Sequence, residues 1–391
     1  MKNARFIPLS VPNLGREEKI LVDRCIETSW VSSAGAYVAE FERAICAYTG
    51  ARYAVSCVNA TMGLFLSLKL CGVEAGDEVI APALTFIAPI NAISYLGAQP
   101  VFMDCDGYLN LDPVKLERFL REECVRTAKG VKNRRSGRRI RAVLPVHVFG
   151  NPCQMDKIMR IARCYGLRVV EDAAEAMGSA YNRGTLKGKF AGTIGDAGVF
   201  SFNGNKIITT GAGGMIVTNS KKLAQQCKYL TTQAKDDPVR YIHNEIGYNF
   251  RLTNLSSAMG IAQLRKLERF KRIKKKNYLL YKSALSGVEG LSLLDTPEGT
   301  SPNYWFYSLI IDKHRFPLSR DRLMQVLARK NIETRPIWYL NHWQKPFRGC
   351  HAYGVERAVD FWRRVVNLPC STDLSSDDVA TVVDAIKRSR G

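Results

Sequence analysis

Residues 198–218 read GVFSFNGNKIITTGAGGMIVT. Two short β-rich runs, Gly198 to Phe202 and Gly214 to Thr218, enclose a polar segment that carries Lys206 and ends in a cluster of glycines. Runs of the same kind precede them: VIAP (Val79 to Pro82), PVFMD (Pro100 to Asp104), AVLPVHV (Ala142 to Val148) and RVVED (Arg168 to Asp172). Uninterrupted apolar runs of this length suit strands covered on both faces. The intervening segments read as the covers. In Asp156 to Tyr165 (DKIMRIARCY), Ile158, Ile161 and Ala162 share one helical face, and Gly166 follows as a stop.

Strands that alternate with helices in this way predict an α/β fold, an αβα sandwich with a mostly parallel sheet and right-handed crossovers. After about Leu255 the pattern changes. A long charged helix over Ser256 to Leu285, short strands near Tyr304 to Ile311 and a helix near Arg320 to Lys330 read as a smaller α+β unit. The expected division is a large domain over 1–254, including an N-terminal arm, and a smaller C-terminal domain over 255–391. No repeat period appears, which argues against solenoids.

The 391 residues are 46% hydrophobic and 24% charged, the composition of a folded globule rather than a disordered or fibrous chain. Lys and Arg number 57 against 36 Asp and Glu, a formal charge of +21. Much of the excess lies in two stretches, Lys129 to Arg141 (KGVKNRRSGRRIR) and Arg265 to Lys276 (RKLERFKRIKKK). The first reads as a polar loop and the second as the solvated face of a helix. Neither interleaves its bases with stacking aromatics, so nucleic acid is not the expected partner; attraction of an anionic small substrate is the functional alternative.

The 11 cysteines form no CxxC pair, as expected of reduced thiols in a cytoplasmic protein. His342, Cys350 and His351 lack a second ligand cluster, so no metal is expected. The uncharged stretch 79–103 is broken by Pro82, Pro89 and Pro100, which argues against a membrane span, and the first residues carry no apolar run of signal-peptide length.

In an open α/β sheet, ligands bind beyond the carboxyl ends of the strands. RVVED ends on Asp172, and GVFSF is followed by Lys206. A carboxylate and a lysine at such places are the two charges that hold pyridoxal 5′-phosphate, the lysine by a Schiff base and the acid by keeping the pyridine nitrogen protonated. An ordinary buried ion pair is the other reading of the same two residues. GAGG at Gly211 to Gly214 lacks the GxGxxG spacing and precedes a strand, so it reads as a tight turn or a ligand contact and not as a dinucleotide fingerprint.

Taken in order, NATMGLFLSL, APALTFIAPINAI, EDAAEAMGS, SFNGNKIITTGAGGMIVT, GYNFRLTNLSSAMGIAQL and TRPIW make the chain resemble the DegT/DnrJ/EryC1/StrS family of nucleotide-sugar aminotransferases, from about Ile7 to Pro369. That resemblance implies an aspartate aminotransferase-like fold with pyridoxal 5′-phosphate as cofactor. It assigns Lys206 as the Schiff-base lysine, Asp172 as the partner of the pyridine nitrogen and Phe86 as the aromatic stacked on the ring. Phosphate contacts are implied for the Ala60-Thr61 turn and Ser201, with Asn249 reaching the phosphate from the neighbouring subunit of a homodimer. Glu175 is placed near the cofactor oxygen. The helix-start turn also has a physical basis, since unsatisfied amides and the macrodipole favour anions there.

The reaction implied is a ping-pong transfer from L-glutamate to a nucleotide-linked ketosugar in polysaccharide biosynthesis, the sugar nucleotide lying near Trp30 to Gly35 and Thr334 to Trp338. A UDP-linked 2-acetamido-4-keto-6-deoxyhexose is the first expectation. A GDP-linked 4-keto-6-deoxymannose or a 3-keto sugar is the alternative within the fold, and a noncatalytic basic binding protein with a degenerate cofactor site is the alternative outside it.

Overall fold

A computed structural model describes residues 5–128 and 130–390. The first half of the chain builds β1 (Tyr53–Cys57), β2 (Glu78–Pro82), β3 (Gln99–Met103), β4 (Cys124–Thr127), β5 (Gly130–Asn133), β6 (Arg139–Val143) and β7 (Arg168–Asp172). There follow β8 (Ala180–Tyr181), β9 (Ala197–Ser201) and β10 (Gly214–Thr218). The large sheet runs β1-β10-β9-β7-β6-β2-β3. Its centre is parallel, from β3 through β2, β6 and β7 to β9, while β10 and β1 pair antiparallel at one side.

Helices α1 (Arg16–Glu27), α2 (Ala36–Thr49), α3 (Ala60–Leu70), α4 (Ile87–Ser94), α5 (Pro113–Glu122), α6 (Met155–Tyr165) and α7 (Lys221–Thr231) accompany these strands, and α8 (Asn254–Leu285) follows them. Leu64 and Leu66 of α3 and Ile90 of α4 are buried in one cluster with Val79 and Val170 of the sheet. On the other side Ile158 and Ile161 of α6 meet Val143 and Val169. That sandwiching is why the strands carry no polar alternation. Helix α6 ends where expected, at Gly166, whose φ of 65° is a left-handed conformation that glycine adopts without strain.

Beyond α8 a second sheet forms from β11 (Leu291–Leu293), β13 (Tyr307–Ile311), β14 (Arg335–Pro336) and β16 (Val365–Leu368), all neighbours antiparallel. The pair β12 (Thr300–Ser301) meets β8, and β15 (Ala352–Tyr353) adds in parallel to β3 at the edge of the large sheet. Helices α9 (Arg320–Ala328), α10 (Glu356–Arg364) and α11 (Ser376–Lys387) complete this part. Ile7 bridges Ile332, and the amide of Cys370 donates to Leu9 O at 2.7 Å, so the start of the chain lies against the small sheet.

Three details depart from the sequence reading. Residues 130–141, expected as a loop, form β5 and the start of β6, because Val131 and Ile140 pair and are buried while Lys132 and Arg139 pair beside them with less cover; Lys129 lies outside the described residues. The basic face of α8 is not wholly solvated: Lys266 pairs with Glu18, and Lys274 is buried. The run Ala142 to Val148 is not one strand. Pro145 has no N–H to donate, so β6 stops at Val143, and only an isolated bridge joins Val146 to Asp172.

Candidate active site

Parallel pairing of β7 with β9 sets Asp172 opposite Val199, so the segments leaving both strands emerge at one edge of the sheet. Strand β1 ends nearby, and Asn59 caps the helix that follows, its Oδ1 accepting the Met62 amide at 2.9 Å. The first-turn amides of Ala60 and Thr61 have no acceptor within the helix, as at any helix start. Gly214, at the beginning of β10, makes this arrangement possible. A Cβ there would lie 2.6 Å from the carbonyl carbon of Asn59 and 2.7 Å from the Ala60 nitrogen, so only glycine lets the strand pass this close beneath the helix start.

Between these elements and the small sheet lies a cavity of about 720 Å³. Residues singled out in the sequence line it: Ala60, Thr61, Phe86, Asp172, Glu175, Ser201 and Lys206. Phe86, the residue before α4, keeps 53% of its surface exposed and faces Trp338 with ring centroids 6.4 Å apart. Asn249 is not among the lining residues. It is exposed, and its Oδ1 accepts from Arg251 Nε at 3.0 Å.

Asp172 is 4% exposed. Burial raises its pKa, an effect opposed by the Ala174 amide donating to Oδ1 at 3.0 Å and by the positive charge of Lys206. A buried carboxylate with one backbone donor and no cation in contact is a poor structural element and a good partner for a cationic ring nitrogen. Glu175 is buried too, and desolvation pushes its pKa up to about 7 despite the nearby Lys206 and the Phe149 amide, which donates to Oε2 at 2.8 Å.

Behind Asp172 stands a support the sequence reading missed. His147 Nδ1 accepts the Cys153 amide at 3.0 Å, which leaves its Nε2 to donate to Glu171 Oε2 at 2.9 Å. Glu171 also accepts the amides of Gly192, Ile194 and Gly195 at 2.9, 2.6 and 2.6 Å. The His147 amide donates to Asp172 O and the Asp172 amide to Pro145 O, at 3.0 and 2.8 Å, so the backbone of Asp172 is fixed from both sides. Neither His147 nor Glu171 borders the cavity, and the adjacent run of strand residues masked their polar role. Trp305 and Phe306, from the segment leading into β13, and Arg335 of β14 also line the cavity. Arg335 falls in the Thr334 to Trp338 stretch that the resemblance set near the sugar nucleotide, whereas Trp305 and Phe306 arrive by a long-range approach that no local pattern announces.

The donor set fits pyridoxal 5′-phosphate. The α3 amides and the Ser201 hydroxyl suit its phosphate, Asp172 its ring nitrogen, and Lys206, 13% exposed at the side chain, its aldehyde.

Comparison with known proteins identifies the family. A model of the DegT/DnrJ/EryC1/StrS aminotransferase family matches residues 12–387. The GDP-perosamine synthase of Escherichia coli O157:H7 is 35% identical over 382 residues, 98% of this chain and 98% of that protein. The GDP-perosamine synthase of Caulobacter vibrioides is 35% identical over 388 residues, 99% of each. Among solved structures, the crystal structure of DesI in the presence of its TDP-sugar product matches with a TM-score of 0.87 at 29% identity, covering 99% of this chain and 93% of that one.

Proposed function

The chain belongs to the DegT/DnrJ/EryC1/StrS aminotransferase family as a pyridoxal-phosphate-dependent sugar aminotransferase, and we propose that it moves the amino group of L-glutamate to the 4-keto carbon of a GDP-linked 4-keto-6-deoxyhexose. One observation carries this reading: Lys206, Asp172 and the α3 N-terminus meet in a single cavity. The GDP-perosamine synthases, matched along almost their whole length, support the guanine nucleotide over the UDP-linked 2-acetamido sugar expected from the sequence.

When bound, pyridoxal phosphate supplies an electron-withdrawing ring that stabilises the carbanion at the donor Cα and carries nitrogen between the two half-reactions. Lys206 is its covalent anchor. Once freed, the Lys206 amine would carry the proton between the substrate carbon and the cofactor, off Cα of glutamate in the first half-reaction and onto C4 of the sugar in the second. Asp172 would hold the proton on the ring nitrogen. The Ala60 and Thr61 amides and Ser201 would hold the phosphate, which would keep the reacting carbons within reach of Nζ. Phe86 would lie against the ring, and Glu175, whose pKa burial pushes up to about 7, would hold or release a proton beside Nζ. Arg335 places a cation at the cavity wall for anionic substrates.

We propose further that the enzyme is a homodimer whose partner copy completes the phosphate site through Asn249. The exposure of Asn249 outside its own cavity supports this, as do the exposed apolar side chains of Val239, Tyr241 and Ile246 nearby in sequence. Mixing a Lys206→Ala chain with an Asn249→Ala chain is expected to restore activity that each lacks, because one shared site regains both residues. No restoration in verified mixed dimers argues against the shared site.

Incubation with L-glutamate and either GDP- or UDP-linked 4-ketosugars, followed by mass spectrometry, tests the reaction. Amination of the GDP sugar is expected. Amination of the UDP sugar alone overturns the nucleotide assignment, and amination of neither by cofactor-loaded enzyme overturns the proposed substrate class.

A further inference from the structure

Two groups answer the charge of Lys206. Glu175 Oε1 lies 3.4 Å from Nζ, and the indole ring of Trp305 has its centroid 4.0 Å from the same atom. Trp305 is 2% exposed and cannot turn away. Its amide donates to Asn303 Oδ1 at 3.0 Å, its indole N–H donates to Asn205 O at 2.8 Å, and its carbonyl accepts from Lys274 Nζ at 3.0 Å. Asn303, fully buried, also donates through Nδ2 to the carbonyls of Glu175 and Met177 at 2.8 and 3.0 Å. One side-chain amide thus ties the backbone of the carboxylate to the backbone of the indole.

Lys274 is unusual in its own right. It is a buried lysine whose hydrogen bonds go to two carbonyls, Trp305 O and Cys370 O at 2.6 Å, and not to a carboxylate. A buried cation without a counterion is costly, and the proposed chemistry does not use it. What it does at this place is fix the peptide of Trp305.

Accepting the reading that Lys206 is the covalent anchor, we infer that the face of Trp305 is the seat of the Lys206 amine whenever that lysine is not joined to the cofactor, with Asn303 and Lys274 as the positioning residues that hold the seat. A lysine released on a flexible four-carbon stem must stay close to the reacting carbons and yet remain free to move. An aromatic face meets both needs. It attracts an ammonium strongly where water is excluded, and its attraction tolerates displacement that a directed hydrogen bond does not. The other charged groups facing Nζ are Glu175 and Asp172 from the segment at the end of β7, with Arg335 on the wall of the same cavity.

The test is trace acetylation of the full chain freed of cofactor, with Lys206 quantified by peptide mass spectrometry across a pH series. Replacing the indole removes an attraction that the charged amine feels and the neutral amine does not. Trp305→Leu is expected to label Lys206 about three- to fivefold faster than wild type near neutral pH, with rates converging at alkaline pH and Trp305→Phe falling between. Equal rates at neutral pH overturn the inference, as does a rise of the same size at every pH, the mark of a lysine merely uncovered. Should Trp305→Leu not fold, Trp305→Phe against wild type carries the same two outcomes. Borohydride reduction of the holoenzyme separates this from the functional reading. Cofactor trapped on another lysine removes the anchor assignment and with it the role of the seat, while cofactor on Lys206 with unaltered labelling in the Trp305 variants removes the seat alone.

Discussion

Glu175 Oε1 stands 3.4 Å from Lys206 Nζ, in a wall where burial lifts the carboxyl pKa from its ordinary 4.5 to about 7. An acid whose pKa is raised on folding is protonated in the folded chain and ionised in the unfolded chain throughout the window between the two values. The folded state therefore binds more protons there, and stability falls as pH rises from 4.5 to 7. Glu175→Gln is expected to remove that contribution, at most about 3 kcal/mol, in cofactor-free protein. Thermal midpoints of wild type and variant across this window check it: a wild-type decline that persists unchanged in the glutamine variant contradicts the burial argument.

Lys206→Ala is expected to leave the phosphate and ring-nitrogen contacts in place, so the cofactor still binds without a covalent link. Turnover falls by about 10²- to 10⁴-fold or more, since both the anchor and the proton carrier are lost. Equilibrium dialysis and amination assays measure the two halves separately. Near-normal amination by the alanine variant rules out the assignment.

Asp172→Asn keeps the shape of the side chain and discards its charge. With the ring nitrogen no longer held protonated, the rate is expected to fall about 10²-fold or more, and the visible spectrum of the bound cofactor should shift. An unaltered spectrum together with unaltered kcat would mean that Asp172 does not face the ring nitrogen.

Gly214→Ala drives a methyl group against the Asn59 and Ala60 backbone at 2.6 to 2.7 Å. Pushing the α3 N-terminus off β10 is expected to cost about 1–3 kcal/mol of stability and to weaken cofactor binding about tenfold. Calorimetry and cofactor titration give the two numbers. Full affinity in the alanine variant would show that the helix start does not hold the phosphate.

Much of the large sheet was legible because its signals are local. Arg168 to Asp172 and Gly214 to Thr218 are strands at the residues expected, and the face formed by Ile158, Ile161 and Ala162 is buried in α6 as its spacing required. The hairpin through β5 was hidden by composition: its turn carries Arg134, Arg135 and Arg138, and beside the buried Asn133 its apolar cover comes from Val131 and Ile140, too few apolar residues for a local reading to outweigh the charges. Lys274 was misread for a related reason. A lysine in a basic helix reads as solvated, and only the approach of the Trp305 and Cys370 carbonyls shows otherwise.

By itself the sequence determined the alternation of strand and helix, the polar residues beyond the strand ends and the glycine that stops α6, because each depends on neighbours a few positions away. Only the tertiary structure decided which of those residues share a cavity, that Trp305 from the segment before β13 lies beneath Lys206, and that His147 and Glu171 brace Asp172 from behind. These are contacts between segments distant from one another along the chain. Their geometry is set by how helices and sheets pack, which side-chain chemistry along the chain does not encode locally.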